Sequence, residues 1–436
     1  MTQSDRQAQR ATAAKRRKLR RLLLQLGCLL AVLLSTSSLT ISLTQLHRAH
    51  LLTKQSAAAR AATEAAESST ASIVEVTAGA AAPALTEPQS EDSTGEASSA
   101  EAASAQEAAP EEPLKDASVT ISFAGDCTLS SYYGEVSSNT IESNYLQYGE
   151  DYFFKNVADI FASDDLTVTN LECTLTGSTD RVYKTFNFKA DPSYVGILTA
   201  GDIECVNLAN NHTHDYSDSG YQETTETLDA AGISWFAGGD TCLIEVNDIL
   251  IGFSGIYECE SGLACMDQAV ANVEALREAG AEIVVCQFHW GDENSYCPNS
   301  KAVTLAHAVI DAGADLVIGH HPHVLQGIEL YQGKYICYSL GNFCFGGNPE
   351  VNDKDTMIVE ATFSIRDGAL LPMEYELIPC SISTESTENT YCPTPAEGEE
   401  AERILEKIYK CCGYIDGGIT REAAQSAPDG EQQPEE

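Results

Sequence analysis

Basic residues are scarce beyond the first 54 positions of this 436-residue chain, which hold ten of its 25 lysine and arginine residues. The rest of the sequence carries 15 basic and 64 acidic side chains, a formal charge of −49. Nucleic-acid binding needs lysine and arginine near the phosphates, so this shortage excludes nucleic acid as a partner. The sequence also lacks any C-x-x-C spacing, which argues against a cysteine-based zinc site.

Cysteine itself is abundant, with 15 residues, but its spacing is not that of a disulfide framework. The odd number leaves at least one thiol unpaired or in an intermolecular bridge. Several cysteines fall within apolar strand patterns, where a thiol behaves as a small hydrophobic side chain. We therefore predict buried thiols at four positions, which are Cys205, Cys286, Cys337 and Cys344.

The N-terminal region joins a basic segment to a long uncharged one. Residues 1–21 contain the cluster from Lys15 to Arg21, and residues 22–46 carry no charged side chain. A span of about 20 apolar residues crosses a bilayer, and the positive-inside rule keeps the basic side cytoplasmic. We predict a single-pass cell-membrane anchor with the main domain extracellular. A cleaved signal peptide is the alternative, and Cys28 leaves lipidation open.

Residues 47–116 are rich in alanine, glutamate, serine and proline, and they contain few large apolar side chains. Such a segment cannot bury enough apolar area to offset chain entropy. We predict a disordered acidic linker that holds the domain away from the membrane, and a similar disordered tail over residues 421–436. One folded domain, residues 117–420, remains between them.

Within this domain, short β-branched runs alternate with helical patterns, which is typical of an α/β fold. Later runs are separated by turns such as Gln332-Gly333, which predict hairpins and a second sheet. Two sheets with helices outside both would form a four-layer α/β/β/α sandwich. The alternating strands are expected at 119–124, 166–169, 203–208, 282–289 and 314–318, and a later strand at 370–377.

Each of the five alternating strands is followed by a polar cluster. Ligands of an open α/β sheet bind at the carboxyl ends of its strands, so we expect the five loops to meet at one site. Each cluster alone has an ordinary interpretation, such as a helix N-cap. Together they supply imidazole, carboxylate and amide groups, which suit divalent Zn, Mn or Fe. The clusters are Gly125-Asp126, Asn170-Leu171-Glu172, Asn210-Asn211-His212, His289-Trp290-Gly291 and Gly319-His320-His321-Pro322-His323.

Six separated motifs resemble the successive motifs of the CapA family over about residues 117–380. The resemblance implies a fold akin to calcineurin-like metallophosphatases. It also implies a role in the synthesis, attachment or export of poly-γ-glutamate or a related capsule polymer. The motifs are Phe123-Ala124-Gly125-Asp126, Asn170-Leu171-Glu172, Val206 to His212, Phe288-His289-Trp290-Gly291, Gly319 to His323 and Tyr338 to Phe343.

Carried over by position, the resemblance also implies roles for individual residues. His212 would hydrogen-bond the substrate oxyanion or protonate the leaving group, with Asp126 and His289 as its catalytic partners. Thr128 stands where the phosphatase pattern has histidine, so whether one or two ions bind stays open. The implied metal ligands are Asp126, Glu172, Asn211, His289, His321 and His323, and the implied substrate contacts are Asn210, Trp290, His320 and Asn342.

Three kinds of function remain open from the sequence. A metal-dependent hydrolase of phosphoester or amide bonds would use the ligand set directly. A non-catalytic subunit of a polymer assembly or export complex would bind a polymer carboxylate through a cation. An adhesion module fits the linker but leaves the histidines unexplained. For the first two, an acidic domain should repel an anionic polymer unless cations or a local basic patch intervene.

Overall fold

The computed structural model describes residues 115–132 and 138–422. The predicted membrane helix at 22–46, the basic segment before it, most of the linker and the tail from residue 423 lie outside these residues. Among the helices that the structure describes, none is long and apolar enough to cross a membrane.

Seventeen strands and seven α-helices make up the described part of the chain. The helices are α1 (Ile141–Tyr148), α2 (Ala158–Phe161), α3 (Val195–Ala200), α4 (Ser217–Ala231), α5 (Met266–Glu278), α6 (Ser300–Asp311) and α7 (Gly398–Cys412). The strands are β1 (Ala117–Thr128), β2 (Leu166–Leu171), β3 (Thr174–Leu175), β4 (Lys189–Ala190), β5 (Cys205–Asn207), β6 (Ser234–Phe236), β7 (Cys242–Val246), β8 (Ile249–Tyr257), β9 (Ile283–His289), β10 (Leu316–His320), β11 (Ile328–Tyr331), β12 (Lys334–Cys337), β13 (Asn342–Phe345), β14 (Asp355–Arg366), β15 (Ala369–Leu370), β16 (Glu374–Ser381) and β17 (Thr394–Pro395).

The strands form two large mixed sheets and one short pair. The first sheet has the order β17-β16-β14-β1-β2-β5-β6, with β13 beside β1 and β15 beside β14. Its β1, β2, β5 and β6 are parallel, whereas β14 is antiparallel to β1. The second sheet has the order β11-β12-β10-β9-β8-β7, with four central parallel strands between antiparallel edges. The α/β class predicted from the sequence is confirmed.

The five alternating strands predicted to share one sheet edge are divided between the two sheets. β1, β2 and β5 belong to the first sheet, and β9 and β10 belong to the second. The expectation that all five strands end at the edge of one sheet was wrong, because the rhythm of strands and helices gives their order but not their pairing partners. The predicted strand 370–377 is also divided, into β15 and β16.

Three hydrophobic clusters hold these elements together. The first contains Phe123 of β1 together with Phe253 of β8, and it is therefore shared by both sheets. The second joins the first sheet to the helices before β6, for example through Leu228 of α4. The third joins the second sheet to α5 and α6, for example through Val273 and Leu305. Strands buried on both faces explain why their sequences are nearly continuous apolar runs.

Local turn chemistry and cysteine burial follow the sequence. Gln332 and Gly333, between β11 and β12, have φ values of 49° and 77°, as a two-residue hairpin turn of type I′ requires. Every cysteine that the structure describes is a free thiol. The burial predicted for four of them is confirmed, since Cys205, Cys286, Cys337 and Cys344 are almost fully inaccessible.

Candidate metal centre

The candidate metal centre lies where strand ends of the two sheets meet. Asp126 is near the end of β1 and Glu172 directly follows β2, both in the first sheet. His289 ends β9, and the segment from His320 to His323 begins at the end of β10, both in the second sheet. The loops predicted to converge do so, although they come from two sheets.

Asp126 is fully buried and held on several sides. Asn170 donates to its Oδ1 over 2.9 Å, and the backbone N–H of His321 donates to its Oδ2 over 3.3 Å. The Nδ1 atoms of His320 and His323 lie 3.1 and 3.2 Å from its two oxygens. Burial opposes ionisation, but the neighbouring imidazoles of His320 and His323 outweigh it and hold the pKa of Asp126 well below its usual range. The Asp126 side chain is therefore a fixed carboxylate anion that could bind a cation.

Glu172 is also fully buried, yet it has no matching donors. Among the described residues, none forms a hydrogen bond with either carboxylate oxygen of Glu172. Its Oε1 lies 3.5 Å from Nε2 of His289 and 3.9 Å from Nε2 of His212 and of His323. Burial raises the pKa of Glu172 well above its usual value. A buried carboxylate without donors requires a physical explanation, and a bound cation provides one.

The imidazoles of His289 and His321 face the same space. Their ring centroids are 4.7 Å apart, and Nε2 of His289 and Nδ1 of His321 form no hydrogen bond with any described residue. Burial lowers the pKa of both side chains, that of His321 to about 4. Both rings are therefore neutral near pH 7, which is the form that binds metal.

The backbone of the loop after β10 is strained at two of these histidines. His321 and His323 have φ values of 97° and 58°, which residues other than glycine rarely adopt. Gly319, just before, packs so closely that an added Cβ would lie 2.0 Å from the carbonyl oxygen of Tyr338. Such strain is concentrated at functional sites, where the surrounding fold holds side chains in place.

The ligand atoms of these residues are close enough to share ions. Three sets of side chains each place one ligand atom within 4.8 Å of the others. Within the described residues, no such set contains both Asp126 and His289, but Glu172 occurs with each of them. The donors therefore suit two overlapping cation positions with Glu172 between them. The sets are Asp126, Glu172 and His323; Glu172, His289 and His321; and Glu293, His321 and His323.

Asn211, the remaining predicted ligand, is partly exposed. Its Oδ1 forms no hydrogen bond with the residues that the structure describes, so the oxygen is available to a cation. Thr128 is buried near the end of β1, where the phosphatase pattern has an imidazole. Three carboxylates, three imidazoles and one amide oxygen remain as donors, which fits a divalent ion of the Mn, Zn or Fe type.

His212 belongs to a chain of charged groups beside these donors. Its Nδ1 lies 2.8 Å from Oδ2 of the fully buried Asp215, and Asp215 forms an ion pair with Lys184. Lys184 also donates to the carbonyl oxygen of Asn211 over 2.6 Å. Burial lowers the pKa of His212, although Asp215 opposes this effect. Asp215 fixes the ring of His212 so that its Nε2 faces Glu172, at 3.9 Å.

The four predicted substrate contacts are all buried, and each has a partner within the protein. Trp290 is fully buried and donates from Nε1 to the carbonyl oxygen of Tyr338, so its position favours a role in the core over the predicted contact. His320 is buried between Asp126 and Gln287, and Asn210 donates to Asn170. The Oδ1 of the fourth, Asn342, lies 2.9 Å from Nδ1 of His323.

Several residues of this centre were missed by sequence reasoning. In the sequence Asn170 stands out only as part of a motif, yet its side chain donates to Asp126 and accepts hydrogen bonds from Asn207 and Asn210. Asp215 follows His212 by three residues, and that spacing was the available signal. Lys184 and Glu293 lie in loops without any pattern.

The sequence of this chain is similar to those of several known bacterial proteins. The chain matches the model of a family described as "Bacterial capsule synthesis protein PGA_cap" over residues 120–243 and 254–347. It is 31% identical over 330 residues to the PGA biosynthesis protein CapA of Bacillus subtilis (strain 168), covering 70% of this chain and 82% of that protein. It is 26% identical over 300 residues to the capsule biosynthesis protein CapA of Bacillus anthracis, covering 62% of this chain and 69% of that protein.

Two further likenesses are narrower. A probable polyglutamine synthesis accessory protein of Mycobacterium tuberculosis (strain CDC 1551 / Oshkosh) is 31% identical over 211 residues, or 41% of this chain and 55% of that protein. The solved structure of a hypothetical protein from Thermus thermophilus is 16% identical and covers 60% of this chain and 99% of that one. The TM-score of the two structures is 0.36.

Proposed function

The chain belongs to the bacterial capsule synthesis protein (PGA_cap) family, and we propose that it acts in making, attaching or exporting poly-γ-glutamate or a related capsule polymer. We further propose a metallophosphatase-like four-layer sandwich, anchored to the cell membrane through residues 22–46, with the site outside the cell. The names of the relatives and the charge pattern of the N-terminal region support this proposal.

The observation that carries the proposal is the fully buried Glu172 carboxylate, which faces the imidazoles of His212, His289 and His323 and has no hydrogen-bond donor among the described residues. One or two divalent ions would be held by Asp126, Glu172 and His323, and by Glu172, His289 and His321 with Asn211 beside them. A bound ion of this kind supplies a Lewis acid and a nucleophile derived from water. We propose that the reaction is hydrolysis of a phosphoester or amide bond.

The protein's own groups have separate tasks in such a reaction. Asp126 is kept ionised and is fixed by Asn170 and the His321 backbone, so it holds its position when charge changes nearby. His212, oriented by Asp215, presents Nε2 toward the centre. Because Asp215 accepts the Nδ1–H, Nε2 of the neutral ring is unprotonated, so it can take a proton from the attacking water and then pass it to the leaving group. The buried environment strengthens each of these interactions, because few water molecules compete for them.

Metal content and hydrolysis measured together test the proposal. The full chain should retain a divalent metal after purification, measured by plasma mass spectrometry, and should cleave phosphodiesters or γ-glutamyl polymer. His321→Ala should lose metal and activity, whereas His214→Ala should keep both, because the exposed His214 contacts Asp218 and Tyr221, which belong to none of the candidate ligand sets. A chain that binds no metal and cleaves neither substrate would contradict the proposed hydrolysis.

The non-catalytic alternative is favoured by one observation, the strongly acidic composition, since an anionic polymer would then need a cation to bridge it to the protein. In that case His321→Ala would spare polymer length but reduce the polymer retained at the surface. Polymer length and surface retention, measured in cells expressing each variant, separate the two functions.

A further inference from the structure

A cavity of about 510 Å³ lies beside the metal centre and is not part of it. Its lining includes Asn294 and Val324, which are the next residues after Glu293 and His323, two members of the candidate ligand sets. The two segments are joined, since the N–H of Asn294 donates to the carbonyl oxygen of Pro322 over 2.8 Å. The cavity and the centre are therefore built in part from the same two chain segments.

Three cations line this cavity, which are Lys354, Arg403 and Lys407. They are three of only 14 lysine and arginine residues between Lys115 and Arg421. The acids that share the lining are Asp353, Asp355 and Glu400, so the cavity is locally neutral within a domain of strong negative charge. An anion approaching this part of the surface is repelled less than elsewhere.

The ion pairs at the cavity hold the cations in place without using all their donors. Asp355 accepts from both terminal nitrogens of Arg403, over 2.8 and 2.6 Å, and from Lys407 over 2.9 Å. Lys354 donates to the carbonyl oxygens of residues 385 and 386. An ammonium has three N–H donors and a guanidinium five. Within the described contacts, Lys354, Lys407 and Arg403 each keep at least one donor for a ligand.

We propose that this cavity binds carboxylate groups of an acidic polymer chain whose neighbouring bond lies at the metal centre. The inference rests on the proposed function and names the class of substrate for the same site. The size of the cavity is within the usual range for small-molecule sites, which accommodates one or two residues of such a chain. Binding at this cavity would also reduce the repulsion expected between an acidic domain and an anionic polymer. The polymer would contact a patch without net charge, where the N–H donors of the cations are held in place.

Binding of a short oligomer of γ-linked glutamate to the full chain tests the proposal. Lys354→Gln should weaken this binding about fivefold, the effect of one partly exposed charge pair, and should reduce its dependence on salt concentration. Lys410→Gln is the matched control, because Lys410 is exposed on α7 and is not part of the lining. It makes the same change of charge and should alter affinity less than twofold. An oligomer of γ-linked isoglutamine, in which a carboxamide replaces each free α-carboxylate, should bind equally weakly to all three proteins.

The same titrations distinguish this inference from the proposed function. Equal loss of affinity in Lys354→Gln and Lys410→Gln would overturn the cavity assignment and leave the metal centre untouched. So would an isoglutamine oligomer that binds the wild type as tightly as the glutamate oligomer does. Inorganic phosphate that competes fully with the glutamate oligomer would also overturn it, since the site would then be a general anion site. A chain that holds no metal but still binds the glutamate oligomer through Lys354 would contradict the proposed hydrolysis and support carboxylate binding in the cavity.

Discussion

Two neighbouring regions bury carboxylates in opposite ways. At the cavity, Asp355 is buried and accepts three hydrogen bonds from Arg403 and Lys407. At the metal centre, Glu172 is buried and accepts none from the described residues. Both side chains end in a carboxylate and both are buried, so the difference lies in their hydrogen-bond partners.

This contrast distinguishes Asp355, whose carboxylate stabilises the fold, from Glu172, whose carboxylate is available to a ligand. Burial opposes ionisation of Asp355, but its hydrogen bonds to Arg403 and Lys407 lower its pKa below the ordinary value of 3.8. Burial without such partners raises the pKa of Glu172 above 4.5. A protein tolerates the cost of an unmatched buried charge when a ligand repays it. Substitutions in the two regions should therefore have opposite consequences.

The largest effect is expected for Glu172→Gln. It should lower metal affinity by more than about 100-fold, the upper range found for residues that only support a ligand. The metal-free protein should be no less stable than the wild type, because a neutral amide replaces a desolvated carboxylate. Calorimetric metal titration and urea unfolding measure both quantities. Glu293→Gln, at an exposed member of one set, is the control and should change metal affinity much less.

Asp355→Asn should show the reverse. It removes the shared partner of Arg403 and Lys407 and should reduce the free energy of unfolding by about 2 kcal/mol, less than for a fully buried pair because Arg403 is partly exposed. Metal affinity should stay within about twofold. Urea unfolding of the metal-free chain provides the test. A metal affinity that falls as far as in Glu172→Gln would show that the two regions are not separate.

Asp215→Asn should slow turnover about tenfold while leaving metal content unchanged, because it releases the ring of His212 without removing a ligand. The acid limb of the pH profile of turnover should move as well, which a purely structural role would not cause. Asp218→Asn, three residues further along and exposed, is the control. Loss of metal in Asp215→Asn would instead place His212 among the ligands.

The smallest effect concerns pH. The stability contributed by Asp355 is present above pH 3.8 and is lost as pH falls through its lowered pKa. Glu172, whose folded-state pKa is raised, contributes most below pH 4.5 and loses that contribution as pH rises. In metal-free protein, Glu172→Gln should therefore gain about 1 kcal/mol relative to wild type between pH 5 and pH 8. An equal difference at both values would contradict the raised pKa.

The sequence predicted the positions of strands and the residues of the site better than it predicted which strands pair with one another. Strands ending at Asp126, His289 and His320 were expected within a few residues, because apolar runs stop where polar clusters begin. The convergence of these clusters was also expected. Membership of β9 and β10 in a second sheet was not, because strand pairing depends on contacts between distant segments, which the local pattern does not contain.

Individual roles were predicted least well where a side chain's direction decides them. Trp290 adjoins His289 in the sequence, but alternate residues of an extended segment point to opposite sides, so the indole enters the core while the imidazole faces the centre. Asp215 and Lys184 were missed for the converse reason. Their importance comes from meeting at His212, and neither belongs to a motif.

The division of the ligands between two sheets has a consequence for how the protein forms and fails. Asp126 and Glu172 come from one sheet and His289 and His321 from the other, more than 100 residues later in the chain. Neither sheet alone supplies all the proposed metal ligands. An ion would therefore bind only after the two sheets have packed together. The bound ion would then slow unfolding without speeding folding. A chelator should therefore increase the unfolding rate more than it decreases the folding rate.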